Sequence, residues 1–238
     1  MVKTTDAQLA VTGTLSPVNG VRRLANVPGV RAAVGQVRDV GLRTGLLRYR
    51  PWVWTDDRWQ ESYRSGSLAY FGDVTELARY SLLAGYLRSF TAAPSVLDIG
   101  CGNGLFRRAL PSDAFSTYLG IDPTPSAIAG ADPLTDDRTA FVAGDPLTFE
   151  LAPADVVVCN EVISVVPDPQ ALVARVHELV VPGGLLLTSI WRHPGDRQLW
   201  RMVDERFEQL DAVTARNVAN PLNRRGWRVA CHRRAPLG

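Results

Sequence analysis

Four carboxylates and three glycines in this chain have the types and spacing to hold a ligand and act on it. Val96-Leu97-Asp98-Ile99-Gly100-Cys101-Gly102-Asn103-Gly104 runs from apolar residues through an acid into glycines at alternate positions. Glycine accepts positive φ and lets a ligand lie against bare backbone. Leu105-Phe106-Arg107-Arg108 can open a helix, so the spacing predicts strand, tight turn and helix start, with N–H groups facing whatever binds. Asp122 closes a second strand about 20 residues on, where an acid can hold ribose hydroxyls. Gly144-Asp145 follows a third strand, where a carboxylate can accept from an exocyclic amino group. Asn160-Glu161 follows a fourth. Each acid alone could be a cap or a solvated loop residue. Their recurrence at successive strand ends points to one site.

The glycines read G-x-G-x-G, and Leu105 stands where a dinucleotide fingerprint places its third glycine. Asp98 would repel a pyrophosphate and suits a cationic ligand. A phosphate-free nucleoside with an amino-acid tail and a sulfonium fits this chemistry, and nicotinamide cofactors are disfavoured. Of the three histidines, His193 lies just past a fifth strand at the same sheet edge and is the first candidate base; Glu161 is the second. His177 reads as a surface helix residue, and His232, beside Arg233 and Arg234, as structural.

The elements that must position these groups alternate. Strands are expected at Ser95–Gly100, Thr117–Asp122, Thr139–Gly144, Ala154–Asn160 and Gly184–Trp191. Helices are expected at Ser126–Ala131, Pro169–Val180 and Arg197–Leu210. Two further β-like runs, Ala212–Asn217 and Arg228–Arg233, are joined through Asn220-Pro221 and Gly226. Ala154–Asn160 is continuously apolar, as a strand buried on both faces should be. The alternation implies a mostly parallel sheet with helices on both faces. Ahead of it, Asp73 and Glu76 read as a capping box for a helix reaching Phe90. Residues 51–72 carry Trp52, Trp54, Trp59, Tyr63, Tyr70 and Phe71, a cluster suited to core or to a flap over a flat ligand. Residues 28–48 suit a helix with Pro28 in its first turn and Val30, Val34 and Val37 at helical spacing, Arg31 and Arg38 lying away from them. Residues 1–27 show no period.

The 238 residues carry a net charge of +2, which hides an asymmetry. Residues 1–50 hold eight basic side chains against Asp6 and Asp39, and the remainder is net acidic. A basic segment can meet an anionic partner or a membrane surface, although Lys3 is the only lysine and a general preference for arginine supplies much of the pattern. No apolar run approaches the ~20 residues of a membrane span, and the first residues lack the apolar core of a secretory signal. Three scattered cysteines give neither a disulfide framework nor metal-ligand spacing. A cytoplasmic protein without a metal site or stable membrane insertion is expected.

With these residues in view, the chain resembles the class I S-adenosylmethionine-dependent methyltransferases over about residues 70–235. Val96–Gly104 is similar to their first motif, Ile121-Asp122-Pro123 to the ribose-binding acid, and Gly144-Asp145-Pro146 to the adenine-contacting acid. Asn160-Glu161 through Pro169 is similar to the segment after strand four of the small-molecule enzymes, and Leu179 through Gly184 to the turn into strand five. The resemblance implies a Rossmann-like α/β fold with a seven-stranded, mostly parallel sheet and an antiparallel C-terminal strand. The implied domains are a basic extension at 1–50, an aromatic cover segment and helix at 51–94, and a core at 95–238.

The resemblance also implies roles in binding S-adenosyl-L-methionine. Gly100, Gly102 and Asn103 would line its methionine part, and Asp98 would face its amino group. Asp122 would hold the ribose, with Pro123 against the adenine. Asp145 would accept from the adenine amino group, beside Pro146. Asn160 and Glu161 would flank the sulfonium, Arg79 would meet the carboxylate, and Tyr63 and Gly66 would close the site. Many relatives read Glu-His or His-His where this chain has Ser164-Val165, so the base and substrate of those relatives do not carry over.

The implied reaction is methyl transfer to a small molecule, with O-methylation of a sugar or a glycosylated or polyketide natural product favoured. The Asn/Asp-Pro-Pro-aromatic motif of nucleic-acid base methyltransferases is missing after strand four, and no RNA-binding module is present. N-methylation of a small amine, nicotinamide-dependent oxidoreduction and a non-catalytic methyltransferase-like subunit stay open, as does assembly, a homodimer included.

Overall fold

The computed structural model describes residues 28–51, 53–89, 92–218 and 226–236. The 1–27 lead, Trp52, Phe90, the turn at Asn220-Pro221 and the side chains of Val30 and Arg31 lie outside the described residues. Backbone contacts divide the chain into two compact units, Met1–Leu47 and Arg48–Gly238. The first contains helix α1 (Pro28–Thr44), shorter than the expected 28–48. The chain turns back after it, with the Leu47 N–H donating to the Gly41 carbonyl at 2.9 Å. A Cβ on Gly41 would sit 2.8 Å from the Leu47 side chain.

In the second unit α2 (Asp56–Arg64) is followed by a 3₁₀ turn (Ala69–Gly72) and α3 (Leu77–Leu87). Then come β1 (Ser95–Ile99), the single-turn α4 (Leu105–Arg108), β2 (Thr117–Asp122), α5 (Pro125–Ala131), β3 (Thr139–Ala143) and β4 (Ala154–Asn160). The chain continues through α6 (Pro169–Leu179), β5 (Val180–Trp191), α7 (Asp196–Asp204), β6 (Glu208–Arg216) and β7 (Gly226–Arg233). The sheet has seven strands in the order β3-β2-β1-β4-β5-β7-β6. Neighbours from β3 to β5 are parallel, and β7 runs antiparallel between β5 and β6. The expected seven-stranded Rossmann-like α/β sheet with an antiparallel C-terminal strand is the one observed.

Three local expectations need correction. Asp73 and Glu76 do not form a capping box: α3 starts at Leu77 with no side-chain cap bond, because the Glu76 carboxylate turns inward to Arg79. The helix expected to reach Leu210 ends at Asp204, and Glu208 already belongs to β6, hydrogen-bonded along β7. Backbone pairing there overrides the helical pattern. β5 begins at Val180 rather than Gly184 and absorbs the glycine turn as an irregularity between Ala154 and Val156 of β4.

Two cores flank the sheet, because successive strand residues face opposite sides. Val157 and Cys159 of β4 pack with Leu172, Val176, Leu199 and Trp200. Val156 and Val158 face Tyr80, Leu83, Leu87 and Trp227. Leu83 is fully buried, and truncating such a side chain to alanine costs about 2–5 kcal/mol. These layers hold the strands so that Gly100, Asp122 and Glu161 leave the sheet at one edge. Chain order reverses there, between β1 and β4, which is where open α/β sheets form their ligand crevice.

Candidate active site

The turn after β1 holds Gly100, Gly102 and Gly104 at φ of 67°, 55° and 77°. A Cβ on Gly100 would stand 2.4 Å from the Val162 side chain, and one on Gly102 would stand 2.6 Å from the Tyr63 hydroxyl. Both glycines are required by close approach as well as by φ. Several of the turn's N–H groups are committed within the protein, in keeping with a loop that does not cradle a pyrophosphate. The Gly100 and Cys101 N–H groups donate to the Ile121 carbonyl, and Gly104 donates to Cys101. Gly102 N–H donates to Asp122 at 3.0 Å. With α4 only one turn long, little helix dipole remains to attract a phosphate.

Two buried acids line this turn. The second Asp122 oxygen accepts from the Thr124 N–H at 2.9 Å. Burial raises its carboxyl above the usual range, against those backbone bonds. Asp98, 1% exposed, accepts from the Tyr118 hydroxyl at 2.5 Å through Oδ2. Its Oδ1 is buried with no partner. Burial pushes its pKa to about 7, with Tyr118 opposing and Asp122 assisting. A buried acceptor oxygen without a partner is costly unless a donor arrives, and the cationic amino group of an amino-acid tail is such a donor.

The cover segment lies over the turn. α2 is capped by Thr55 and pinned to the start of α5, where Ser126 donates through N–H to Gln60 Oε1 and through its hydroxyl to the Gln60 carbonyl. This places Tyr63 over Gly102. Burial, then the nearby Asp122 carboxylate, hold its phenol well above its ordinary value, so it stays a neutral donor. Phe71 overlies the Arg79 guanidinium at 5.5 Å. Gly66 adopts φ of 73° with open space around it.

Arg79 is 2% exposed and is held on three sides. It donates to Glu76 at 3.2 Å, to Tyr80 Oη at 3.0 Å and to Asn160 Oδ1 at 2.9 Å. The Ser189 hydroxyl lies 2.7 Å from both Asn160 Oδ1 and Glu161 Oε1. Glu161 Oε2 accepts from the Trp191 N–H at 3.1 Å. Glu161 has φ of 64°, a left-handed conformation that costs a non-glycine residue and persists where the surroundings enforce it. Burial raises its carboxyl, with Arg79 and then Ser189 and Trp191 opposing.

His193 follows β5. Its Nδ1 accepts from the Gly195 N–H at 3.1 Å, and Nε2 is buried without a partner. With Nδ1 accepting, the neutral ring carries its proton on Nε2. Burial lowers its pKa, with Asp196 opposing. The ring lies between Tyr49 and Trp191, centroids 4.7 and 4.9 Å away. In this arrangement neither nitrogen offers a lone pair to solvent. Among the outer positions, Asp145 is exposed, and its Oδ1 accepts from the Leu147 N–H at 2.9 Å. Pro123 is exposed and Pro146 buried. Asn103 is half-buried against Gly130. His177 packs edge-on against Phe207, and His232 is fully buried, 3.1 Å from Asp204.

Sequence reasoning missed Tyr118, Ser189 and Tyr49, and read Glu76 as a helix cap rather than as the partner of Arg79. Tyr118 and Ser189 carry a signal, each being two residues from a position on the same face of its strand: Gly120, paired with Asp98, and Trp191. Tyr49 has none, because its bonds to Ser164 and Gln198 span more than a hundred residues.

A family model described as a methyltransferase domain matches residues 71–232. The chain belongs to the S-adenosylmethionine-dependent methyltransferases. This methyltransferase is 33% identical over 113 residues to the ubiquinone biosynthesis O-methyltransferase of Pseudomonas paraeruginosa, covering 45% of this chain and 49% of that one. The Leptothrix cholodnii protein of the same name is 36% identical over 107 residues, covering 42% and 45%. The chain thus spans about half the length of the curated relatives it matches. Among solved structures, the N-methyltransferase NodS of Bradyrhizobium japonicum aligns with TM-score 0.64 at 20% identity over 74% of this chain and 98% of that one. The 1,6-didemethyltoxoflavin-N1-methyltransferase of Burkholderia thailandensis aligns with TM-score 0.62 at 19% identity over 76% and 87%. The methyltransferase uses S-adenosylmethionine, and the orphaned Asp98 oxygen fits that cofactor's ammonium group. Among the described residues no helix is long and apolar enough to cross a membrane, and no cluster of three His, Cys, Asp or Glu could hold a metal ion.

Proposed function

We propose that this methyltransferase methylates a hydroxyl oxygen of a small molecule and that Glu161 takes the hydroxyl proton. The observation that carries this reading is the placement of Glu161. Its carboxylate stands at the carboxyl end of β4 in a left-handed turn, fixed by Ser189 and by the Trp191 N–H. An alcohol or phenol needs such a base, whereas a neutral amine does not. The partial likeness to enzymes named O-methyltransferases supports the same choice.

When bound, S-adenosylmethionine supplies an electrophilic methyl group, whose bond to sulfur breaks as the bond to the acceptor oxygen forms. The residues of this chain orient and deprotonate. Asp98 Oδ1 accepts from the cofactor's ammonium group, Asp122 holds the ribose, and Asp145 and Pro146 adjoin the adenine. Arg79 holds Asn160 beside the methyl-bearing end and keeps a positive field next to Glu161. Tyr63 and Phe71 exclude water, so that much of the rate comes from proximity and alignment. His193, with Nδ1 occupied, serves this site as a packed neutral ring.

The test is transfer of labelled methyl from S-adenosylmethionine across phenols, hexosides, glycosylated metabolites and amines. Transfer to hydroxyls that Glu161→Gln abolishes is expected. Transfer to amines alone would overturn the reading. The structural neighbours named N-methyltransferases make that second outcome the one to include.

A further inference from the structure

We propose that Trp191 is the platform on which the acceptor stacks, and that the acceptor therefore presents a flat ring face beside the hydroxyl to be methylated. The inference rests on the hydroxyl-methylation reading and adds the shape of the substrate to it. Strand period places Ser189 and Trp191 on one face of β5. Ser189 reaches Asn160 and Glu161 from that face. Trp191 stands two residues further toward the open edge, with 45% of its surface exposed. Lone exposed apolar side chains are ordinary; this one is built in. Its backbone N–H donates to the Glu161 carboxylate at 3.1 Å, so the strand position that carries the ring also holds the base.

The indole is also backed. His193 lies against it at 4.9 Å and Tyr49 against His193 at 4.7 Å. Tyr49 is fixed by its hydroxyl bond to the Ser164 carbonyl at 3.2 Å and its N–H bond to Gln198 at 2.9 Å. A Cβ on Gly195 would stand 2.1 Å from the Tyr49 ring, so glycine there lets the tyrosine close on the stack. Two rings in series, Tyr49 and His193, thus back the outermost one, Trp191, nearly half of which stays exposed. A ring laid on it, aromatic or the C–H face of a sugar, brings a substituent hydroxyl toward Glu161. Stacking of this kind accepts any flat π or C–H face, so the two sources are separated by the probes.

The experiment is binding of simple phenols and alkyl hexosides to the S-adenosylhomocysteine-saturated protein, followed by saturation-transfer NMR and titration. The wild type is expected to bind one of the two probe classes. Trp191→Ala is expected to weaken that binding at least about tenfold, and Trp191→Phe to restore it to within about threefold, with S-adenosylhomocysteine affinity unchanged in both. Equal probe binding by wild type and Trp191→Ala, or no ring binding by the wild type, would overturn the platform. Labelled methyl transfer measured in parallel reports on the hydroxyl-methylation reading by itself, so the two can fail separately.

Discussion

The Tyr118 hydroxyl donates to Asp98 at 2.5 Å while the other Asp98 oxygen has no partner. The acid is half satisfied, fully buried and raised to about 7 from 3.8. Its folded pKa lies above its unfolded value, so the folded protein binds the extra proton between about pH 4 and 7. The contribution of Asp98 to stability is present below pH 4 and falls as pH rises to about 7, by up to about 1.4 kcal/mol per pH unit. Asp98→Asn should remove this slope, seen as the difference in urea midpoints between pH 5 and 7.5.

Cofactor binding should show the opposite trend. The ammonium group of S-adenosylhomocysteine pairs with the ionised acid, so affinity should rise at least about tenfold between pH 5.5 and 7.5. Calorimetry in buffers of different ionisation heat should detect proton release below pH 7. An affinity independent of pH would remove Asp98 from the ammonium site.

Asp122→Ala should weaken S-adenosylhomocysteine binding by about 1–3 kcal/mol through lost hydrogen bonds. The substitution also frees the Gly102 N–H, so a modest fall in melting temperature should accompany it.

Gly102→Ala forces a side chain into positive φ, at a cost of about 1–2 kcal/mol, and against the Tyr63 hydroxyl. Adding Tyr63→Phe should recover the contact part of the loss and leave the backbone part. Thermal melts of the single and double variants separate the two.

Arg79→Ala should cost about 3–5 kcal/mol in urea unfolding, because Glu76 keeps its buried charge and loses this guanidinium. Arg79→Lys should recover only part, since one ammonium cannot reproduce the forked bonds to Glu76, Tyr80 and Asn160.

Turnover should rise with pH through an inflection above the ordinary glutamate value of 4.5, because burial raises Glu161 and the base must be ionised. Glu161→Gln should lower turnover by about 10²–10⁴ and leave cofactor affinity within a few-fold. His193→Phe, which keeps the ring stack, should retain most of the activity. Loss of turnover in that variant with intact Glu161 would return the base to His193.

The parallel strands were legible because their apolar runs are buried on both faces and punctuated by glycine and acid: β2 and β4 fall at the expected residues. The Asp73–Glu76 cap and the long last helix were misread because local propensity there yields to non-local bonds, Glu76 to Arg79 and β6 to β7. Glycine spacing placed N–H groups toward a ligand; only the folded turn reveals which of them are committed to Ile121 and Asp122.

The sequence by itself determined the sheet and the glycine turn, because those follow from short-range pattern: strand periodicity, glycines that permit positive φ, and acids set at strand ends; the cofactor followed from the family resemblance those motifs carry. The tertiary structure alone decided how the acids are poised and which partners hold Glu161 and His193. The Tyr118 bond to Asp98, the Arg79-Asn160-Ser189-Glu161 chain and the ring stack of Tyr49, His193 and Trp191 join residues up to about 150 positions apart. Burial and partner geometry set protonation and orientation there, and neither is written in the local order of residues.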